Sequence, residues 1–202
     1  YTPTATPVTP TAEDTTSTDK QGQTQTGTPT FTPGNPNVPM DDDTPATFED
    51  GSTTKTIPGE GTYTVAPDGT VTFVPEKSFT GTGTGVTVKR VDKNGTPVTA
   101  KYTPTVTPVT PTATPAVSEA PQGVVQTGTV TFTEGDPVAT IDKDTITLLD
   151  ENGQPAASVE AKSPAGDVIG IYTVDKDTGV VTFTPTDKSY SGDVVPVKVQ
   201  AA

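Results

Sequence analysis

The chain has 202 residues and a formal net charge of −13, and it contains no cysteine, histidine or tryptophan. An acidic surface repels nucleic acid and anionic membranes, so we expect neither as a partner. Without His and Cys there is no base for a Ser-His or Cys-His nucleophile and no Cys/His zinc site. We therefore predict that the protein is not an enzyme and has no catalytic, cofactor-binding or metal-binding residues.

Threonine and valine dominate the sequence, and both are β-branched residues that favour strands over helices. The 22 prolines and 19 glycines also interrupt the chain too often for long helices. The composition therefore predicts an all-β protein. Because the content of large apolar residues is low, disorder is the competing interpretation from composition alone.

A Thr/Pro phrase opens the chain and then recurs. YTPTATPVTPTA at residues 1–12 returns as YTPTVTPVTPTA at residues 102–113. Proline favours extended backbone, so residues 1–12 are interpreted as linker-like and residues 102–115 as a Thr/Pro junction. Two alternatives stay open for the junction. It is either a flexible spacer, or Val98 to Val106 form a last edge strand that continues into a short, stiff linker.

Two further segments recur in the same order. QGQTQTGTPTFT at residues 21–32 matches QGVVQTGTVTFT at residues 122–133, and GTYTV at residues 61–65 matches GIYTV at residues 170–174. A period of about one hundred residues suits whole domains in tandem rather than solenoid units. We therefore predict a first repeat at residues 1–101 and a second at residues 102–202.

The first repeat contains a predicted β-hairpin. Tyr63, Val65, Val71 and Phe73 alternate with threonine or valine, and the connection Ala66 to Thr70 includes the turn signal Asp-Gly. The second repeat keeps the pattern with a connection one residue longer, since Val181 follows Val174 by seven positions where Val71 follows Val65 by six, and its segment Asp175 to Gly179 is consistent with a bulged turn. The matched apolar positions, predicted to be core, are Tyr63 and Tyr172, Val65 and Val174, Val71 and Val181, Phe73 and Phe183, Phe79 and Tyr190, and Phe31 and Phe132. The predicted fold is two tandem β-sandwich-like repeat domains arranged end to end.

The two repeats differ in apolar content and in length at their ends. The first has fewer Val, Ile, Leu and Phe residues than the second, so we expect it to be the less stable. Asp92 to Gly95 has the pattern of a hairpin turn, and the sequence stops before a counterpart in the second repeat. We therefore expect the second repeat to lack its final strand.

Three weak site signals have simpler structural interpretations. Asp41 to Asp43, Asp142 to Asp144 and Asp175 to Gly179 resemble parts of calcium loops but lack full EF-hand spacing, so solvated turn carboxylates are favoured. Lys77 and Lys188 match between repeats as candidates for isopeptide bonds, but their setting predicts a turn. The sequon Asn94-Gly95-Thr96 and the Thr/Pro segments are weak glycosylation signals.

Several motifs together resemble a known family. They are QTGTPTFT and QTGTVTFT, GTYTVAPDGTVTF and GIYTVDKDTGVVTF, the KSF and KSY turns, and DKNGTPVTAKYTPTVTP. The chain resembles the CshA-type fibril repeats of streptococcal cell-wall-anchored fibrillar adhesins, over both halves. It departs most from that pattern between Asn35 and Pro58. In that family tandem repeats are thought to form a filament anchored to the cell wall, and ligands, including host fibronectin, bind a separate segment.

The resemblance implies an extracellular, cell-surface stalk that projects a ligand-binding region away from the cell wall. The implied partners are neighbouring repeats of the same chain, with host or bacterial surface proteins engaged by the full-length adhesin, and the fragment is expected to be a monomer. Two alternatives remain: a repeat module that itself binds a host or bacterial protein through exposed strand edges, and a flexible mucin-like spacer.

Overall fold

A computed structural model describes residues 1–137 and 139–202. The chain divides into two compact units, Tyr1–Val109, here called unit 1, and Thr110–Ala202, here called unit 2. This division falls later than the proposed boundary after residue 101, because residues 102–107 continue a strand of unit 1.

Unit 1 consists of short strands joined by turns. In chain order they are β1 (Thr11–Glu13), β2 (Thr15–Lys20), β3 (Gln25–Gly27), β4 (Thr30–Thr32), β5 (Thr47–Phe48), β6 (Thr54–Ile57), β7 (Gly61–Val65), β8 (Val71–Pro75), β9 (Gly81–Thr82), β10 (Val86–Val91) and β11 (Pro97–Thr107). One sheet has the order β2-β11-β10-β5, with β9 also paired to β11, and a second has the order β3-β8-β7-β6. Strands β1 and β4 form a separate pair.

The predicted hairpin of unit 1 is confirmed as β7 and β8. Tyr63 lies opposite Phe73 and Val65 opposite Val71, so all four side chains share one face. The connection closes with a hydrogen bond of 2.8 Å from Ala66 N to Thr70 O. Gly69 has φ +96°, a left-handed conformation that glycine adopts without a Cβ clash.

The core of unit 1 lies between its two larger sheets. Alternate residues of β7 and β8 face the interior from one sheet, and alternate residues of β10 and β11 face it from the other. The buried cluster contains Ala46, Phe48, Tyr63, Val65, Val71, Phe73, Val86, Val88, Tyr102 and Val106. Unit 1 is therefore a β-sandwich with a continuous apolar core.

Unit 2 repeats much of this arrangement. Its strands are β12 (Thr112–Thr114), β13 (Gln126–Thr129), β14 (Thr131–Thr133), β15 (Thr147–Leu149), β16 (Pro155–Ala156), β17 (Ser158–Lys162), β18 (Val168–Val174), β19 (Val180–Pro185) and β20 (Lys198–Gln200), with one 3₁₀ helix at Lys143–Thr145. The sheets have the orders β13-β19-β18-β17, β16-β15-β20 and β12-β14. The hairpin of the second repeat is confirmed, since Tyr172 lies opposite Phe183 and Val174 opposite Val181.

The last strand of unit 1 is longer and more central than an edge strand. Of the two alternatives for the junction, one was an edge strand at Val98 to Val106, whereas β11 spans Pro97–Thr107 and pairs with β10 on one side and β2 on the other. The edge position is therefore wrong, because residues 15–20, which showed no strong strand pattern, supply another neighbour.

Unit 1 buries more of its apolar side chains than unit 2, although the second repeat has the higher apolar content. Among the described residues of unit 2, the buried apolar side chains are Ile146, Leu148, Ala161 and Ile169, against the larger cluster in unit 1. Tyr172, Val181 and Phe183 are only half-buried, although their counterparts Tyr63, Val71 and Phe73 are buried. Stability depends on apolar area removed from water, so the packing favours unit 1 as the more stable repeat.

Candidate functional site

The first and last long strands of unit 1 pair in parallel. The register runs from Thr15 opposite Tyr102 to Lys20 opposite Thr107, and this ladder is here called the terminal-strand pair. Beyond its far end, Gln21 N donates to Thr107 O at 2.8 Å. Just before its near end, Lys101 N donates to a carboxylate oxygen of Asp14 at 2.7 Å. The ladder is thus extended by a hydrogen bond at each end.

A polar network ties the terminal-strand pair to the opposite sheet. Ser17 Oγ donates to Gln25 Oε1 at 2.5 Å, and Gln25 Nε2 donates to Thr105 O at 3.0 Å. Because the single Ser17 proton is used in that bond, the Tyr102 hydroxyl, 2.7 Å away, donates to Ser17 Oγ. The network joins β2, β3 and β11, so sliding of either terminal strand breaks side-chain as well as backbone hydrogen bonds.

Tyr102 packs tightly against a glycine. A Cβ placed on Gly27 would lie 2.5 Å from Cε2 of the Tyr102 ring. On the core side, Tyr102 meets Tyr63 edge-on with ring centroids 6.3 Å apart. Burial raises the pKa of the Tyr102 hydroxyl, which keeps it protonated as a donor. Gly27 therefore provides the space that this aromatic ring needs.

The buried carboxylate of Glu60 forms a second hydrogen-bonded link between the sheets. Thr84 donates to Glu60 from its backbone N at 2.9 Å and from its hydroxyl at 2.7 Å, and the Tyr63 hydroxyl also donates to Glu60. Burial by itself raises the pKa of Glu60, but these hydrogen bonds outweigh it and hold the pKa below its usual value. Burial, followed by the bond to Glu60, raises the pKa of Tyr63.

The acidic segments suspected of binding calcium serve as turns. Asp41 accepts from Asp43 N at 3.2 Å, and Asp142 accepts in the same way from Asp144 N at 3.0 Å. Lys93 Nζ donates to Asp41 at 2.5 Å, and this bond is the main reason that the pKa of Asp41 falls to about 2. Among the described residues, no group of three or more His, Cys, Asp or Glu side chains lies where it could hold a metal ion.

The remaining candidate residues also lie in turns. Asp175 accepts from Asp177 N at 2.9 Å within the connection between β18 and β19. Lys77 and Lys188 are exposed turn residues, a setting that does not suit the buried lysine of an isopeptide bond. Asn94 lies in the turn between β10 and β11, where its backbone N donates to the buried Asp92 at 2.9 Å.

Sequence reasoning missed the terminal-strand pair and its network. One signal for the network was present, because Ser17, Gln25 and Gly27 recur in the second repeat as Ser118, Gln126 and Gly128. The parallel pairing itself depends on contacts across almost the whole repeat, which a local pattern does not report.

The fold and the terminal-strand pair place this chain in the class of all-β tandem-repeat proteins. The family described as the surface adhesin CshA repetitive domain matches residues 7–106 and 108–202, and the chain belongs to that family. This confirms the resemblance inferred from the motifs, and it makes the chain a pair of repeats of a surface adhesin family.

The chain is also similar to parts of several solved structures. Repeat domain 13 of the fibrillar adhesin CshA from Streptococcus gordonii is 67% identical, over 35% of this chain and 90% of that chain, with a TM-score of 0.21. A tetra-tandem repeat from the extending region of a large adhesion protein is 17% identical, over 97% of this chain and 49% of that chain, with a TM-score of 0.25.

A third structure, Drosophila N-cadherin EC1-3, is 10% identical, over 87% of this chain and 55% of that chain, with a TM-score of 0.31. No curated protein matches the chain. Within the described ranges, no helix has both the length and the apolar character needed to span a membrane.

Proposed function

We propose that this chain is a non-enzymatic stalk segment of a cell-wall-anchored surface adhesin, which holds a ligand-binding region away from the cell and carries tension. The observation that supports this role is the parallel pairing of β2 with β11 in unit 1. These strands stand near the two ends of the repeat, so tension along the chain acts directly on their ladder.

The direction of loading gives the ladder its mechanical effect. Tension enters β2 at Thr15 and leaves β11 at Thr107, and in a parallel pair these residues lie at opposite ends of the ladder. The two strands must then slide past each other, so the hydrogen bonds that β2 makes with β11 along Thr15 to Lys20 are loaded together instead of one after another. The network of Ser17 and Gln25 adds bonds to the same motion.

Family membership and surface charge support the same proposal. Neighbouring repeats of the parent adhesin are the proposed partners in the chain, and a net charge of −13 discourages association between copies, which suits a monomer. The sheets and the buried core of unit 1 weigh against a disordered mucin-like spacer.

Single-molecule force spectroscopy on the full chain tests the tension-carrying role. We expect a high-force event for unit 1 that releases roughly 300 Å of contour length, from the residues between Thr15 and Thr107. Unit 1 extending without a discrete force peak would contradict the proposal. The competing binding-module function predicts saturable binding of the isolated chain to a host or bacterial surface protein, and a stalk segment shows none.

A further inference from the structure

Strand β6 lies at the edge of one sheet of unit 1. Among the described residues, the sheet order β3-β8-β7-β6 gives β6 a neighbour on one side, β7, and leaves its other edge open. Val65 N donates to Thr53 O at 3.0 Å, one position before β6 begins. Hydrogen-bonded pairs alternate along an antiparallel ladder, so the backbone groups of Thr54 and Thr56 point away from β7. They can therefore pair with another strand.

The side chains on the outer face of β6 do not oppose such pairing. Thr54 and Thr56 are uncharged and β-branched, and both are exposed. Thr54 lies opposite Thr64 on β7, and Thr64 lies opposite Thr72 on β8, so this face of the sheet carries a row of threonines. An open edge with such residues is a template for association between copies unless another feature interrupts it.

Lys55 is the one charged residue of β6, and it occupies a core-facing position. It lies opposite Tyr63, whose side chain is fully buried in the core, and Ile57, on the same face of β6, packs against the core. The alternation of the strand therefore calls for an apolar residue at position 55. Because β6 is at the edge, the Lys55 side chain still reaches solvent.

The position of Lys55 bears directly on pairing between two copies. If two β6 strands pair in antiparallel fashion about a two-fold axis, Thr54 of each copy faces Thr56 of the other, and the two Lys55 residues lie directly opposite each other. Residues opposite each other have Cβ atoms about 4.5–5.5 Å apart, and like charges there are destabilising. The incoming strand also removes water from both ammonium groups, which adds a desolvation cost.

Unit 2 interrupts the matching edge in a different way. Its edge strand β17 places Val159 opposite Tyr172, so the lysine is replaced by an apolar residue. The pairing of β17 with β18 instead shifts register between Ala161 and Lys162. A bulge of this kind bends an edge strand and hinders regular pairing with another strand. The same edge is thus interrupted in both repeats, by a charge in one and by a bulge in the other.

We propose that Lys55 is a gatekeeper residue, which prevents β6 from pairing with β6 of a second copy of this chain. Its contribution is to solubility and specificity, since its inward charge makes the most extensive edge-to-edge register unfavourable. This inference deepens the monomeric state included in the proposed function, and it is independent of the tension-carrying role.

Sedimentation equilibrium on the full chain tests the role of Lys55. For Lys55→Val, the mass is expected to rise toward twice that of the chain as the protein concentration approaches about 1 mM. Amide exchange at Thr54 and Thr56 is expected to slow at least about tenfold over the same range. The original chain is expected to keep the mass of a monomer throughout.

Three further variants separate position from charge. Lys77→Val removes the same charge from an exposed turn and is expected to stay monomeric. Lys55→Glu keeps a charge at the core-facing position and is also expected to stay monomeric. Lys55→Thr is a second uncharged replacement, expected to associate like Lys55→Val, and the amide resonance of Phe73 verifies that unit 1 is folded in each variant.

Each outcome bears on one proposal. Association of the folded Lys55→Val or Lys55→Thr variant through Thr54 and Thr56 supports the gatekeeper role. Folded variants that both stay monomeric overturn it, as does equal association of Lys77→Val or of Lys55→Glu. Association of the original chain would instead contradict the monomeric state itself, so the two failures are distinguishable.

Discussion

Replacing Gly27 by alanine tests the packing beneath the terminal-strand pair. The added Cβ would lie 2.5 Å from Cε2 and 2.6 Å from Cδ2 of Tyr102. Carbon atoms pack best at about 3.5–4.0 Å, so the overlap is about 1 Å. The Tyr102 ring has little space to move away, because its hydroxyl is hydrogen-bonded to Ser17 and the ring of Tyr63 packs against it edge-on.

Overpacking of a core costs about 1–3 kcal/mol, and the loss of glycine flexibility in the unfolded chain returns about 0.4–1 kcal/mol. We therefore expect Gly27→Ala to destabilise unit 1 by about 1–2 kcal/mol. For a repeat of this size, that lowers its melting temperature by roughly 5–15 °C. Thermal melting followed by NMR resolves the units, with the amide of Phe73 reporting on unit 1 and that of Phe183 on unit 2.

Gly128→Ala is the matched control, because its new Cβ meets only Cβ of Ala116, at 3.1 Å. We expect it to change the stability of unit 2 by less than about 1 kcal/mol. The reasoning is refuted if Gly27→Ala leaves the melting of unit 1 unchanged, or if both substitutions cost the same.

Three more predictions follow from the network and the turns. Glu60→Gln is expected to lower the stability of unit 1 at neutral pH by about 1–3 kcal/mol in chemical denaturation. The pKa of Glu60 is lower in the folded than in the unfolded chain, so its ionised form stabilises unit 1 above the unfolded pKa of about 4.3, and this stabilisation is lost as the pH falls through the folded pKa. Glu60→Gln is expected to remove that part of the pH dependence of stability. An unchanged dependence of stability on pH would contradict this. Ser17→Ala leaves buried hydrogen-bonding groups without a partner and is expected to lower the stability of unit 1 by about 1–3 kcal/mol. The matched change at the exposed Ser118, Ser118→Ala, is expected to lower the stability of unit 2 by less than about 1 kcal/mol, so equal losses of stability would exclude the network. Added calcium is expected to leave both melting midpoints unchanged, because Asp41 and Asp142 are engaged in turns, and a rise in either midpoint would show a binding site.

The hairpins and the repeat were predictable because their signals are local. The alternation around Tyr63 and Phe73, with an Asp-Gly connection, specifies a turn and a common face within a short stretch. Comparison of the two repeats then identified the matched positions. These features depend on neighbouring residues, so one sequence was sufficient to find them.

The sheet partners of the junction were not predictable in the same way. Thr15 to Lys20 is polar throughout and lacks apolar alternation, so its strand depends on the pairing offered by β11. Counting apolar residues also misjudged burial, because Tyr102 and Val106 of one strand enclose the core of unit 1. Apolar content stabilises a repeat only when a neighbouring strand covers it.

The direction of pulling tests the tension-carrying role most directly. The chain has no cysteine, so introduced pairs of cysteines are unique attachment points. Handles at residues 14 and 108 load the terminal-strand pair in shear, whereas handles at residues 14 and 101 pull both strands from the same end and open the ladder one bond at a time. At equal loading rate, the account predicts a clearly higher unfolding force in the shear geometry. Equal forces in the two geometries would contradict it.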